Sequence, residues 1–86
     1  MIKRGILVFD HRDLEWRLWI GQTAYWIDQG NTFELRIQNR YFFAYLEKDL
    51  DWFVTLDQDA TFVLHTLEVY KVRINICDYI RVEAPF

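Results

Sequence analysis

The chain has 86 residues and a mass of 10.6 kDa, the size of one domain. Hydrophobic residues make up 52% and charged residues 27%, which excludes a disordered chain, and three Gly with one Pro exclude collagen-like, flexible-linker and proline-rich segments. A net charge of -3, with no basic run beyond Lys3-Arg4, lacks the footprint of a generic nucleic-acid binder, and there is no apolar run long enough for a membrane-spanning helix. Only Ile6 to Phe9 is apolar between the basic start and Asp10, which is shorter than a signal-peptide core, so a cytoplasmic location and no membrane contact are expected.

Hydrophobicity alternates with period two along most of the chain. Gly5 to Phe9 is a short apolar run of strand formers, and Asp10 to Asp13 is a polar turn. Glu15 to Ile20 alternates, with Trp16, Leu18 and Ile20 on one face and Glu15, Arg17 and Trp19 on the other. Thr23 to Ile27 is an aromatic run ending at the Asp28-Gln29-Gly30-Asn31 turn signal. Thr32 to Ile37 is the cleanest strand, with Phe33, Leu35 and Ile37 on one face and Glu34 and Arg36 on the other. Gln38-Asn39-Arg40 fits a tight hairpin into Tyr41 to Glu47, although it lacks glycine. Trp52 to Leu56 is a strand between two acidic breaks, and Thr61 to Leu64 is short and apolar. A single helical turn is expected near 65–69. Tyr70 to Ile74 is a strand with Tyr70, Val72 and Ile74 inward and Lys71 and Arg73 outward. Tyr79 to Val82 is a candidate last strand.

No helical period persists, so the fold is expected to be all-β. It is read as an antiparallel meander of five to seven short strands forming one domain over 1–86, either a small SH3-like barrel or two packed sheets. Its core is expected to hold Trp16, Leu18, Phe33, Leu35, Ile37, Val54, Val72 and Ile74. Sixteen aromatic rings are more than so small an interior can hold, so some should form an exposed patch. Alternation puts Trp19 outside, and the runs Tyr25-Trp26 and Tyr41-Phe42-Phe43 place rings on both faces of their strands. Trp19, Tyr25, Trp26 and Tyr41 are therefore the candidates for a self-association surface, and a homodimer is the expected assembly.

The chemistry-bearing residues form no recognisable catalytic pattern. Cys77 is the single cysteine, which excludes an intramolecular disulfide and a cysteine-based zinc site; a small buried apolar role is expected for it. His11 and His65 fall in turns. Glu34 and Glu47 are the carboxylate pair weighed for acid–base work, but charges on a wet strand face serve cross-strand pairing. Residues 47–59 carry Glu47, Asp49, Asp51, Asp57 and Asp59 against Lys48 alone. The spacing lacks the calcium-loop pattern, so turn carboxylates are expected and no metal or cofactor. That stretch also defines an acidic surface suited to a basic partner. Arg17, Arg36 and Arg40, with outward rings, define an alternative nucleic-acid surface, which the net charge does not favour.

Gly5-x-Leu7-Val8-x-Asp10, then Arg17, Tyr25-Trp26, Gly30-x-x-Phe33-Glu34-x-x-Ile37, Leu46-Glu47, Asp51-Trp52 with Val54, and Tyr70-x-Val72-x-Ile74 form a pattern. It resembles a family of short, uncharacterised proteins of Gram-positive prophages and conjugative elements, over residues 5–56 and more weakly to 74. The chain has Gln29-Gly30-Asn31 where the family often has Cys-Gly-Glu, and Tyr45-Leu46-Glu47 where it has Arg-Ile-Glu. The resemblance implies a compact β-barrel from a mobile-element setting and no reaction. The expected function is a non-enzymatic interaction module, an accessory protein of a mobile element. The alternatives are a small nucleic-acid-binding barrel and an acidic decoy for a basic host protein.

Overall fold

The computed structural model describes residues 2–57, 60–75 and 79. Eight strands form: β1 (Ile2–Asp10), β2 (Glu15–Ile20), β3 (Thr23–Trp26), β4 (Thr32–Ile37), β5 (Arg40–Lys48), β6 (Trp52–Leu56), β7 (Thr61–Val63) and β8 (Tyr70–Asn75). No α-helix forms among the described residues, so the chain is all-β. The expected helical turn near 65–69 is one hydrogen-bonded turn, with the Glu68 N–H donating to the His65 carbonyl at 3.0 Å. Cys77, Asp59 and all of the candidate strand Tyr79–Val82 except Tyr79 lie outside the described residues. Tyr79 itself packs against the core and donates its hydroxyl to the Thr32 carbonyl.

The strands form one antiparallel sheet in the order β3-β2-β1-β8-β4-β5-β6-β7. Three features differ from the sequence-based expectation, the first being that eight strands form rather than five to seven. The order is not a simple meander, because β8 lies between β1 and β4 and joins one run of hairpins to the other. The β3 and β7 edges also do not pair, so the sheet is unclosed and the barrel is not completed. Both edge strands are short, which is another way of limiting exposed backbone.

One face of the sheet carries the core. Leu7, Trp16, Leu18, Leu35, Ala44, Leu46, Val54 and Val72 are fully buried there, and Phe33 and Ile74 nearly so. Seven of the eight core positions read from alternation are buried, and Ile37 packs against them, partly buried. With no helix to cover this apolar face among the described residues, the sheet curls over itself. Phe62 of β7 meets Tyr70 of β8, and Tyr70 meets Trp16 of β2.

Local chemistry fixes the bends. Asp10 ends β1 by accepting the N–H groups of Arg12 at 2.9 Å and Asp13 at 3.2 Å on one carboxylate oxygen. Gly5 is where the β1 and β2 backbones come too close for a side chain: a Cβ there would run into the Trp19 carbonyl oxygen and the Ile20 side chain. The first and last residues of the Gly5-x-Leu7-Val8-x-Asp10 motif thus serve close approach and turn capping, and Leu7 serves the core.

Candidate interaction surface

The opposite face of the sheet is open to solvent. Register places Ile2, Arg4, Ile6 and Val8 of β1 there, with Arg17 and Trp19 of β2 and Trp26 of β3. Across the sheet it carries Lys71 and Arg73 of β8, Glu34 and Arg36 of β4, Tyr41, Phe43, Tyr45 and Glu47 of β5, Thr55 of β6 and Val63 of β7. Every exposed large hydrophobic residue borne by a described strand is on this face: Ile2, Ile6, Trp19, Trp26, Phe43, Tyr45 and Val63.

The sequence-derived aromatic set divides between the faces. Trp19 and Trp26 are exposed on the outward face, at 36% and 41%. Tyr41 is half-buried on the same face, under the Arg73 guanidinium, which lies 4.0 Å from its ring centre. Tyr25 pairs with Leu18 and packs against the core. Phe43 and Tyr45, exposed at 53% and 42%, join the outward surface instead. Alternation from Tyr41 gives their face; only the fold shows that nothing covers them.

The arginine set divides as well. Arg17 is outward by alternation yet buried, with 5% exposure. Its guanidinium reaches Asp13 at 2.9 Å, Glu15 at 3.3 Å and Asp10 at 3.9 Å, and donates to the Trp16 carbonyl at 3.2 Å. Arg40 opens β5 opposite Ile37 and lies over Phe42. Arg36 is on the outward face, its Nε donating to the Gln38 carbonyl at 3.0 Å and one Nη to the Asn39 side chain at 3.3 Å.

Two further cations complete a central band. Lys71 stands opposite Ile6, which in turn stands opposite Trp19. Arg36 shares with Lys71 a groove of about 300 Å³, also lined by Gln38, Val69 and Tyr70. Arg4 stands opposite Arg73, whose charge is taken by an ion pair with Glu34. Among the described residues no carboxylate makes an ion pair with Arg4, Arg36 or Lys71. The outward positions of Lys71 and Arg73 are legible from alternation, but their meeting with Arg4 and Arg36 requires the β1–β8–β4 order.

The carboxylates do not gather. Glu47 accepts a hydrogen bond from the Thr55 hydroxyl, while Glu34 is held by Arg73, its direct partner on β8, and stands opposite Phe43, four residues before Glu47 on β5. Asp49 and Asp51 form the β5–β6 turn, where the Asp49 N–H donates to the Asp51 carbonyl at 3.1 Å, and Asp57 follows β6. Among the described residues no three His, Cys, Asp or Glu side chains come together in a group able to hold a metal ion. His11 stacks edge-on against Phe9, with ring centres 5.0 Å apart, and His65 is exposed after β7. Asp10 is held below its ordinary value near 3.8, first by the N–H groups of Asp13 and Arg12 and then by the charges of Arg17 and Arg12.

No curated protein and no solved structure matches the chain. The family model of a domain of unknown function, DUF5348, matches residues 5–74, from the close-approach glycine in β1 to the last core residue of β8, and the chain belongs to this family.

Proposed function

We propose that this protein is a non-enzymatic binding module that works through the outward face of its sheet, as an accessory protein of a mobile element. One observation carries the reading: all exposed large hydrophobics of the described strands lie on one face, together with three cations that no carboxylate pairs among the described residues. Exposed rings and aliphatics gathered on a small domain mark a contact surface. The mobile-element setting comes from the sequence resemblance, and the scattered turn carboxylates support binding rather than catalysis.

A photo-crosslinking amino acid placed at Phe43 tests this, with the same group at Leu67, exposed in the β7–β8 connection, as the control. In cells carrying the protein, discrete adducts are expected from position 43 and not from 67. Adducts of equal yield from both positions, or from neither, overturn the proposal.

A second reading is a two-fold dimer through the β1–β3 end of the same face, favoured by the adjacency of Ile6, Trp19 and Trp26. Light scattering at tens of micromolar should then give about twice the chain mass, lowered by Trp19→Ala. The acidic-decoy reading has weaker support, because Asp49, Asp51 and Asp57 lie in turns at strand ends and Glu47 is engaged by Thr55.

A further inference from the structure

We infer that the outward face binds a single-stranded polynucleotide, with phosphates on Arg4, Lys71 and Arg36 and bases stacked on Trp19 and Phe43; this rests on the reading of that face as the working surface. The chain has more carboxylates than cations, yet four of them pair with Arg17 and Arg73, and Asp28, Asp49, Asp51 and Asp57 lie between strands. Arg17 takes three of them and Arg73 takes Glu34, which leaves the Arg4, Lys71 and Arg36 charges standing together on β1, β8 and β4. Oxyanions complement such a band, and the groove lined by Arg36 and Lys71 offers both cations to one phosphate.

The rings flank the cations. Trp19 is on β2 and Phe43 on β5, four strand spacings apart, or roughly 19 Å at the usual interstrand distance. A single strand laid across β1, β8 and β4 thus meets positive charge in the middle and a ring at either side. Tyr41 and Trp26 have one face covered by Arg73 and Arg17, whereas among the described residues no such cation lies over Trp19 or Phe43. Bases in a duplex cannot reach these rings, and the net negative charge of the chain opposes dense duplex phosphate. A second copy docked on the central band would set cation against cation. Ring stacking and phosphate contacts do not read the 2′-hydroxyl, so DNA and RNA single strands should bind alike.

The test is fluorescence anisotropy with labelled oligo-dT and oligo-rU of about fifteen nucleotides, and a duplex of the same length as control. Three phosphate contacts to a single strand predict a roughly twentyfold loss of affinity between 50 and 200 mM salt. Arg36→Glu with Lys71→Glu should weaken binding at least tenfold and flatten the salt dependence. Phe43→Ala should weaken it about tenfold and leave the salt dependence unchanged. Circular dichroism checks the fold of each variant, and Arg36→Gln with Lys71→Gln replaces the reversal if it fails to fold. Absence of binding near 100 μM protein at 50 mM salt, preference for the duplex, or indifference to the Arg36 and Lys71 changes overturns the inference. If crosslinks still form from position 43, the interaction face survives with another occupant; if they do not, both readings fall.

Discussion

The Arg17 guanidinium lies 4.0 Å from the centre of the Trp26 ring, its directly opposite neighbour in the β2–β3 ladder. One side of the cation meets the ring, and its nitrogens meet Asp13 and Glu15 and lie near Asp10. A planar fork satisfies this arrangement where a point charge cannot. Arg17→Lys should therefore lower stability by about 1 kcal/mol although the charge is kept, since the stacked contact and one or more carboxylate bonds are lost. Urea denaturation of the variant checks this, and an unchanged midpoint would show that the surrounding groups contribute nothing net.

Asp10 links the same turn to pH. Its carboxyl is held low mainly by the Asp13 and Arg12 N–H groups, so the folded state favours the carboxylate. That contribution is fully present above the unfolded value near 3.8 and is lost as pH falls through the lower folded value. Asp10→Asn should be less stable than the parent near pH 6, with the gap closing as pH falls below the unfolded value near 3.8 and Asp10 itself becomes protonated. A gap that stays constant with pH would exclude this linkage.

Gly5→Ala should destabilise the sheet by about 1–3 kcal/mol. The added methyl would meet the Trp19 carbonyl, which is backbone and cannot swing aside without moving β2. The expected signature is a lower melting temperature in a variant that still gives a β-sheet spectrum. A neutral outcome would mean that β1 and β2 can separate at no cost.

Gln38→Gly should stabilise. Gln38 and Asn39 form the two-residue β4–β5 turn, in which Gln38 has φ of 59° and Asn39 is not in that region. A positive φ at the first turn position alone is the pattern of a type II′ hairpin, where glycine is preferred. Relief of the left-handed strain, less the greater entropy glycine loses on folding, gives a net gain of about 0.5–1 kcal/mol. Thermal melts should show it as an upward shift.

The sequence made the core legible because period two is a local property. Leu35 and Val72 needed no partner to be assigned to one face, and Trp19 followed as the outward neighbour of Leu18 and Ile20. Tyr25 and Trp26 were harder, because both are aromatic and each fits either face. Their faces are decided by the two-residue turn through Gly21, at φ of 59°, which sets Ile20 opposite Thr23 and so Leu18 opposite Tyr25. The burial of Arg17 was not legible, since it depends on that same register bringing Trp26 over it. Nor was the cation band, because Arg4 and Arg73 lie far apart in sequence and meet only through β8.

The position of β8 has a consequence for how the chain acquires its structure. Hairpins β1–β2–β3 and β4 to β7 can each form from neighbours in sequence, but β8 must pair with β1, at Ile2 opposite Asn75 through Leu7 opposite Tyr70, before the halves share a sheet. That closure spans most of the described chain, and its entropy is lost before the contacts between halves are gained. On the β4 side only Glu34–Arg73 and Leu35–Val72 are in register, so little local pairing holds the seam until the core beneath it has packed. Folding is then limited by one late, long-range event, on the millisecond-to-second scale of non-local β topologies. A nascent chain lacking residues 70–75 would hold two half-sheets with their apolar faces uncovered.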